Sequence, residues 1–292
     1  MIPLIFTKFG DFNKGVEMVK TSIENLNTFH SEFTVSKTAG ENHVLRLRLG
    51  IHFEKMTGIT SFSNSLNPTP FKIREWTDLE WYAFRNTVFT QSDMWNNQFW
   101  LIPPKDFTEL DINAGYVKFR PNVKCELFVQ VWNTPALAQK RIKLAKLDDT
   151  VTGDSTAFRS DALTYDSLDG VPHVFPIPDA AGNMTNITHY TIPHEIGHAL
   201  GQPHIGVLKK VAACTLAIAG NPADNMSAGG ANSHRCYGFG GPPSIAENIM
   251  GYGTKFDEVN AEPWVTRVAE HTATDSKKWT VKMAEMPPFM VT

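Results

Sequence analysis

Long hydrophobic runs are missing from this chain, and so are basic runs, internal repeats and a dense set of cysteines. Each absence removes a class. No apolar stretch approaches the ~20 residues of a membrane helix, so no span is expected. Lys and Arg (27) are outnumbered by Asp and Glu (30), for a net charge of −3 with no basic cluster. Nucleic acid is therefore a poor candidate partner. Three cysteines in 292 residues cannot staple the whole chain, so the core must come from the 42% of apolar residues. That length suits one large domain or two small ones. The apolar run from Ile2 to Phe6 is too short for a signal-peptide core, and no basic stretch precedes it.

Periodicity places several elements. Leu45, Leu47, Leu49, Ile51 and Phe53 alternate with less apolar neighbours, which predicts a strand over 43–53 with one buried face. Residues 57–70 are rich in Ser, Thr, Asn and Pro and read as a loop. A helix is expected from Thr77. Thr77 and Glu80 form a capping box, Trp76 and Trp81 have the offset of a hydrophobic staple, and Trp81, Phe84 and Val88 mark a buried stripe. Residues 99–102 and 125–132 read as strands ended by prolines. Residues 136–147 fit either a helix start or a strand, and 155–178 are expected to hold an edge strand. Glu262 to His271 reads as a helix with Pro263 in its first turn and Trp264, Val268 and Ala269 inward.

The chemistry concentrates at His194-Glu195-Ile196-Gly197-His198-Ala199-Leu200-Gly201-Gln202-Pro203-His204. Positions i and i+4 share a helix face, so His194 and His198 can address one ion. Glu195 is offset from them, within reach of a water but not of the metal. Gly201 can take the positive φ of a sharp helix stop, which swings His204 back as a third ligand. Three protein ligands with a fourth position open are the pattern of a catalytic zinc. Thr191 is one candidate N-cap, with the helix starting between Asn186 and Pro193.

This run resembles the extended zinc signature of the metzincin metallopeptidases, and Glu247-Asn248-Ile249-Met250-Gly251-Tyr252-Gly253 is similar to the Met-turn of that clan. The resemblance is specific over 194–204 and 248–252 and extends loosely over 43–271. It implies an α+β fold: a twisted mixed β-sheet, an active-site helix above a cleft, and a smaller, loop-rich C-terminal subdomain ending in a helix. Residues 41–292 would be the catalytic domain, with an upper part to 201 and a lower part from 202. Residues 1–40 would be an extension or a cap. The resemblance implies one zinc on His194, His198 and His204, Glu195 as general base and then acid, and Met250 beneath the histidines. Tyr252 stands where it could reach the zinc as an additional ligand and would swing from it to bond the developing oxyanion; the other reading is a buried packing residue with its hydroxyl satisfied. The residue after the third histidine is Ile205, unlike the Glu, Pro, Ser or Asp of known branches, so no branch is assigned.

The implied activity is a zinc endopeptidase acting on protein or peptide as a monomer, secreted or exported although this chain shows no signal peptide. Two alternatives stand beside it: a narrow-specificity effector or toxin protease, and a catalytically silent zinc-binding protein that kept the fold. Ile205, Val207 and Gly253 to Phe256 are candidates for the specificity pocket. Cys214 and Cys236 either form a disulfide across a long loop or join His234 at a second zinc, although the paired C-x-x-C spacing is missing. Cys125 is expected as a buried free thiol. The Gly220 to Ser233 loop reads first as a mobile rim, with Asp224 a candidate calcium ligand as the alternative. Asn183, Asn186 and Asn225 begin glycosylation sequons.

Overall fold

One thirteen-residue strand organises the molecule. The computed structural model describes residues 5–6, 18–25, 27–63, 70–148, 160–220, 230–287 and 290–291. Asp224 and Asn225 lie outside them. In chain order the main elements are β1 (Ile5–Phe6), β2 (Met18–Ile23), β3 (His30–Ser36), β4 (His43–Lys55), α1 (Asp78–Ser92), β5 (Phe99–Ile102), β6 (Val123–Val131), β7 (Lys140–Ala145), β8 (Thr164–Asp166), β9 (His173–Pro178), β10 (Met184–His189), α2 (Thr191–Ala199), α3 (Ala212–Gly220), α4 (Glu262–Thr272) and β11 (Thr280–Met283).

β4 carries the predicted alternation: Leu45, Leu47, Leu49, Ile51 and Phe53 are buried, while Arg46 is exposed and Arg48 and His52 are half-buried. β6 runs parallel to it from Val123↔His43 to Val131↔Ile51, a pairing that requires a crossover. α1 lies within that crossover. Its capping box at Thr77 and Glu80 is present, and Phe84 and Val88 are buried. The Trp76 and Trp81 rings pack edge-on at 6.3 Å.

The Ile51 carbonyl accepts from Trp132 and the neighbouring Gly50 carbonyl from Gln139. Adjacent carbonyls point to opposite strand edges. β7 therefore lies across β4 from β6 and continues, in parallel, the edge along which β3 pairs antiparallel as far as Arg48. β8 adds in parallel to β7, and β5 and β11 add antiparallel beyond β6. The result is an open mixed sheet in an α+β molecule. The ambiguous 136–147 segment resolves into a 3-10 turn at Pro135–Leu137 followed by β7.

Within 1–40, β2 and β3 are strands of this same sheet. They are tied to α4 by His271, whose ring nitrogens bond the hydroxyls of Thr21 (2.8 Å) and Ser31 (3.0 Å). The Arg267 guanidinium of α4 also lies 4.8 Å from the Phe29 ring centroid. α4 buries Pro263, Trp264, Val268 and Ala269, as its sequence pattern predicts.

Of the 155–178 segment expected to hold an edge strand, 155–159 lie outside the described residues, and the part from 160 to 178 is divided. β8 ends in a turn in which Leu168 N–H bonds the Asp166 carboxylate and Val171 N–H the Leu168 carbonyl. The chain then leaves the sheet for a separate hairpin, β9–β10, which runs directly into α2. No helix among the described residues is long and apolar enough to cross a membrane.

Candidate metal centre

α2 begins one residue earlier than a Thr191 cap would place it. Tyr190 is the N-cap, without a side-chain bond, and Pro193 sits in the first turn. Trp95 Nε1–H holds that turn by donating to the Pro193 carbonyl at 2.9 Å. At the other end Gly201 adopts φ +91°. Gly201 N–H bonds the His198 carbonyl and Gln202 N–H reaches back to Gly197, both at 2.9 Å. This pair of bonds is a Schellman stop, which needs a left-handed residue at the position Gly201 occupies. The chain therefore reverses sharply and brings His204 beside His198.

The three imidazoles converge. One ring nitrogen from each of His194, His198 and His204 lies within 4.8 Å of the others. The opposite nitrogens are all engaged by main-chain carbonyls. His194 Nδ1 bonds Ile249 O (2.8 Å), His198 Nδ1 bonds Gln202 O (2.7 Å) and His204 Nδ1 bonds Ala231 O (2.7 Å). A carbonyl only accepts, so each Nδ1 carries the proton and each Nε2 presents a lone pair. His198 and His204 Nε2 stand 3.1 Å apart and His194 Nε2 is buried with no partner. Lone pairs facing one another in a buried site are unfavourable unless a cation satisfies them. These residues fit a metal ion.

The electrostatics agree. Burial first, then neighbouring imidazoles, holds His194 well below the usual histidine range and His204 at about 3. Burial also lowers His198. All three are therefore neutral, the form that ligates. Glu195 is buried, its Oε2 has no partner, and burial with the charge of Asp161 raises it to about 8. Adjacent to the triad, the His189 ring lies 5.2 Å from His194, with its Nδ1 also buried and unpartnered.

Met250 is fully buried and passes beneath α2 at Gly197. A Cβ on Gly197 would lie 2.2 Å from Met250 Sδ and 3.0 Å from Trp95 Cζ2. Below this, Trp95, Phe99, Phe256 and Trp264 form an aromatic layer. A buried amide cluster fixes the turn. Asn248 Oδ1 accepts from Met250 N–H (2.9 Å), Asn248 Nδ2 donates to Asn260 Oδ1 (2.8 Å), and Asn260 Nδ2 donates to Gln202 Oε1 (3.1 Å). The helix exit, the Met250 turn and the approach to α4 are thereby one unit.

Tyr252 is buried and its hydroxyl bonds His234 Nδ1. Cys214 and Cys236 are joined as a disulfide, so their sulfurs are not donors to a second zinc. Cys125 is free and buried. The disulfide pins the loop that brings in the Ala231 carbonyl, His234 and Tyr237. The Tyr237 ring rests 3.8 Å from that of His204 and lies nearly parallel to that of His194.

Among the pocket candidates, Ile205 is wholly buried in the core and not free to meet a substrate, while Phe256 packs on Trp95 and Phe99 but is only partly buried. The space beside Gly253 is closed by the Glu247 carbonyl. Sequence reasoning missed Gly197, His189, Asp161, Asn260 and Tyr237. Only Gly197, a glycine inside a helix, carried a local signal. Comparison with protein-family models, with curated proteins and with solved structures finds no match for this chain.

Proposed function

We propose that the chain is a zinc-dependent endopeptidase of metzincin type. The observation that carries this reading is the convergence of three Nε2 lone pairs, each fixed by a carbonyl at Nδ1, together with Glu195, the residue after His194 on α2, whose buried carboxylate has an oxygen without a partner. A zinc ion on His194, His198 and His204 supplies Lewis acidity toward a carbonyl oxygen and acidifies water.

The chain's own groups do the rest. Glu195 accepts a proton from the attacking water at its free oxygen and returns it to the leaving amine. Tyr252, through its phenol O–H, bonds the developing oxyanion.

A peptide has a docking edge available. Among the described residues β9 and β10 pair as strands only with each other, with Gly240 N–H on the Pro178 carbonyl at the end of β9, and Phe175 of β9 lies 5.8 Å from the Tyr252 ring. An extended substrate adds to such an edge through main-chain hydrogen bonds.

The test is cleavage of unfolded casein by zinc-loaded wild type and Glu195→Ala, with zinc content measured in both. We expect one zinc per chain in each and hydrolysis by wild type alone. Cleavage by Glu195→Ala at the wild-type rate would remove Glu195 from the mechanism. A chain that binds no zinc would end the proposal.

A further inference from the structure

Tyr252 is the one residue in the proposed mechanism that belongs to a turn, not to α2 or its exit, and a phenol ring on a turn needs something to aim it. Its hydroxyl bonds His234 Nδ1. His234 is itself tightly held. Its carbonyl accepts from Tyr237 N–H (3.1 Å) and Phe239 N–H (3.0 Å), and the next turn is closed by Cys236 N–H on Ser233 O (2.8 Å). Cys236 is bonded to Cys214 of α3, and its carbonyl accepts from Gly206 N–H at 2.8 Å, two residues beyond His204. A Cβ on Gly206 would lie 2.7 Å from that carbonyl, so the approach is as close as a glycine allows. A continuous covalent and hydrogen-bonded path thus runs from the third histidine to the His234 imidazole and on to the Tyr252 phenol. Phe239 and Tyr237 flank the imidazole, and Phe175 and Tyr237 flank the phenol.

We propose that His234 is a positioning residue for Tyr252, holding the phenol oxygen so that its O–H is directed at the oxyanion of the substrate. The inference rests on the peptidase reading for the role of Tyr252, but the contact itself does not. The chemistry suits an imidazole. With its proton on Nδ1 it donates to the phenol oxygen and leaves the phenol proton for the substrate. An apolar side chain in its place leaves the phenol free to turn, at an entropic cost when it must be re-aimed in the transition state.

The test is steady-state peptide hydrolysis by zinc-loaded full-length chain carrying His234→Ala, His234→Asn, Tyr252→Phe, or His234→Ala with Tyr252→Phe, at equal zinc content. His234→Ala is expected to lower kcat roughly tenfold with little change in KM, about the effect of one well-placed hydrogen bond. Asn, whose amide reaches the place of Nδ1, should restore most of it. In the Tyr252→Phe background, His234→Ala should do nothing further. Additive losses, a loss confined to KM, or wild-type turnover in His234→Ala would overturn the proposal. If no variant and no wild type hydrolyses peptide, the peptidase reading fails by itself. The contact is then read from the ring Cζ resonance of labelled Tyr252, identified by its loss in Tyr252→Phe. A shift in His234→Ala upholds the positioning contact, and an unmoved resonance overturns it.

Discussion

Gly197→Ala tests the packing beneath the three-histidine cluster, because local and tertiary rules give opposite signs for it. Gly197 lies inside α2 with no positive φ. By helix propensity alone alanine should stabilise it by about 0.5–1 kcal/mol. The new methyl would, however, sit 2.2 Å from Met250 Sδ and 3.0 Å from Trp95 Cζ2. Non-bonded carbons need about 3.5–4.0 Å. Met250 and Trp95 are both fully buried, so neither has solvent to retreat into. Overpacking of this kind costs about 1–3 kcal/mol, and the net is a loss of roughly 1–2 kcal/mol. For a chain near this size that corresponds to a fall in Tm of roughly 2–8 °C.

The assay is urea unfolding followed by tryptophan fluorescence, with a chelator present so that metal binding does not contribute to stability. The decisive comparison is the same substitution in a Met250→Ala background. Met250→Ala alone should cost about 2–5 kcal/mol through the cavity it leaves. With the sulfur gone, adding Ala at 197 should cost at least ~1 kcal/mol less than it does in wild type, a coupling of ordinary size for touching residues. Equal costs in the two backgrounds, or stabilisation by Gly197→Ala in wild type, would refute the contact.

Two further outcomes follow from buried polar groups. Asn260→Ala removes the acceptor of Asn248 Nδ2 and Asp257 N–H and the donor to Gln202 Oε1. It should cost roughly 3–5 kcal/mol in urea unfolding and weaken metal binding, because Gln202 O orients His198; stability within ~1 kcal/mol of wild type would show the cluster to be dispensable. His43 accepts from Ser36 N–H at Nδ1 and bonds Leu110 O through Nε2, and burial lowers it to about 4. The unfolded chain, with an ordinary histidine near 6.5, then binds the extra proton between pH 6.5 and 4. Stability present above that window is lost as pH falls through it, at up to ~1.4 kcal/mol per pH unit. His43→Gln should make the acid slope shallower by about one proton, and an unchanged slope would remove His43 from the acid response.

The sequence alone was sufficient wherever a spacing maps directly onto local geometry. The period-two run of β4, the capping box at Thr77 and Glu80, the stop at Gly201 and the i, i+4 pair His194 and His198 all sit where the sequence pattern puts them. Backbone periodicity and dihedral sterics decide these within a few residues. It was not sufficient where the partner is distant in the chain. The carbonyls that fix the three Nδ1 atoms belong to Ile249, Gln202 and Ala231, and any residue type supplies a carbonyl, so no side-chain signal marks them. The division of residues 160–178 between a sheet edge and a hairpin likewise depends on what packs beside it. The choice for Cys214 and Cys236 between disulfide and metal was settled only when α3 and the 230–241 loop came together. A ligand set can be written in spacing, because a helix carries its own ruler. The orientation and charge state of each ligand depend on distant main-chain partners, and only the folded chain brings those within reach.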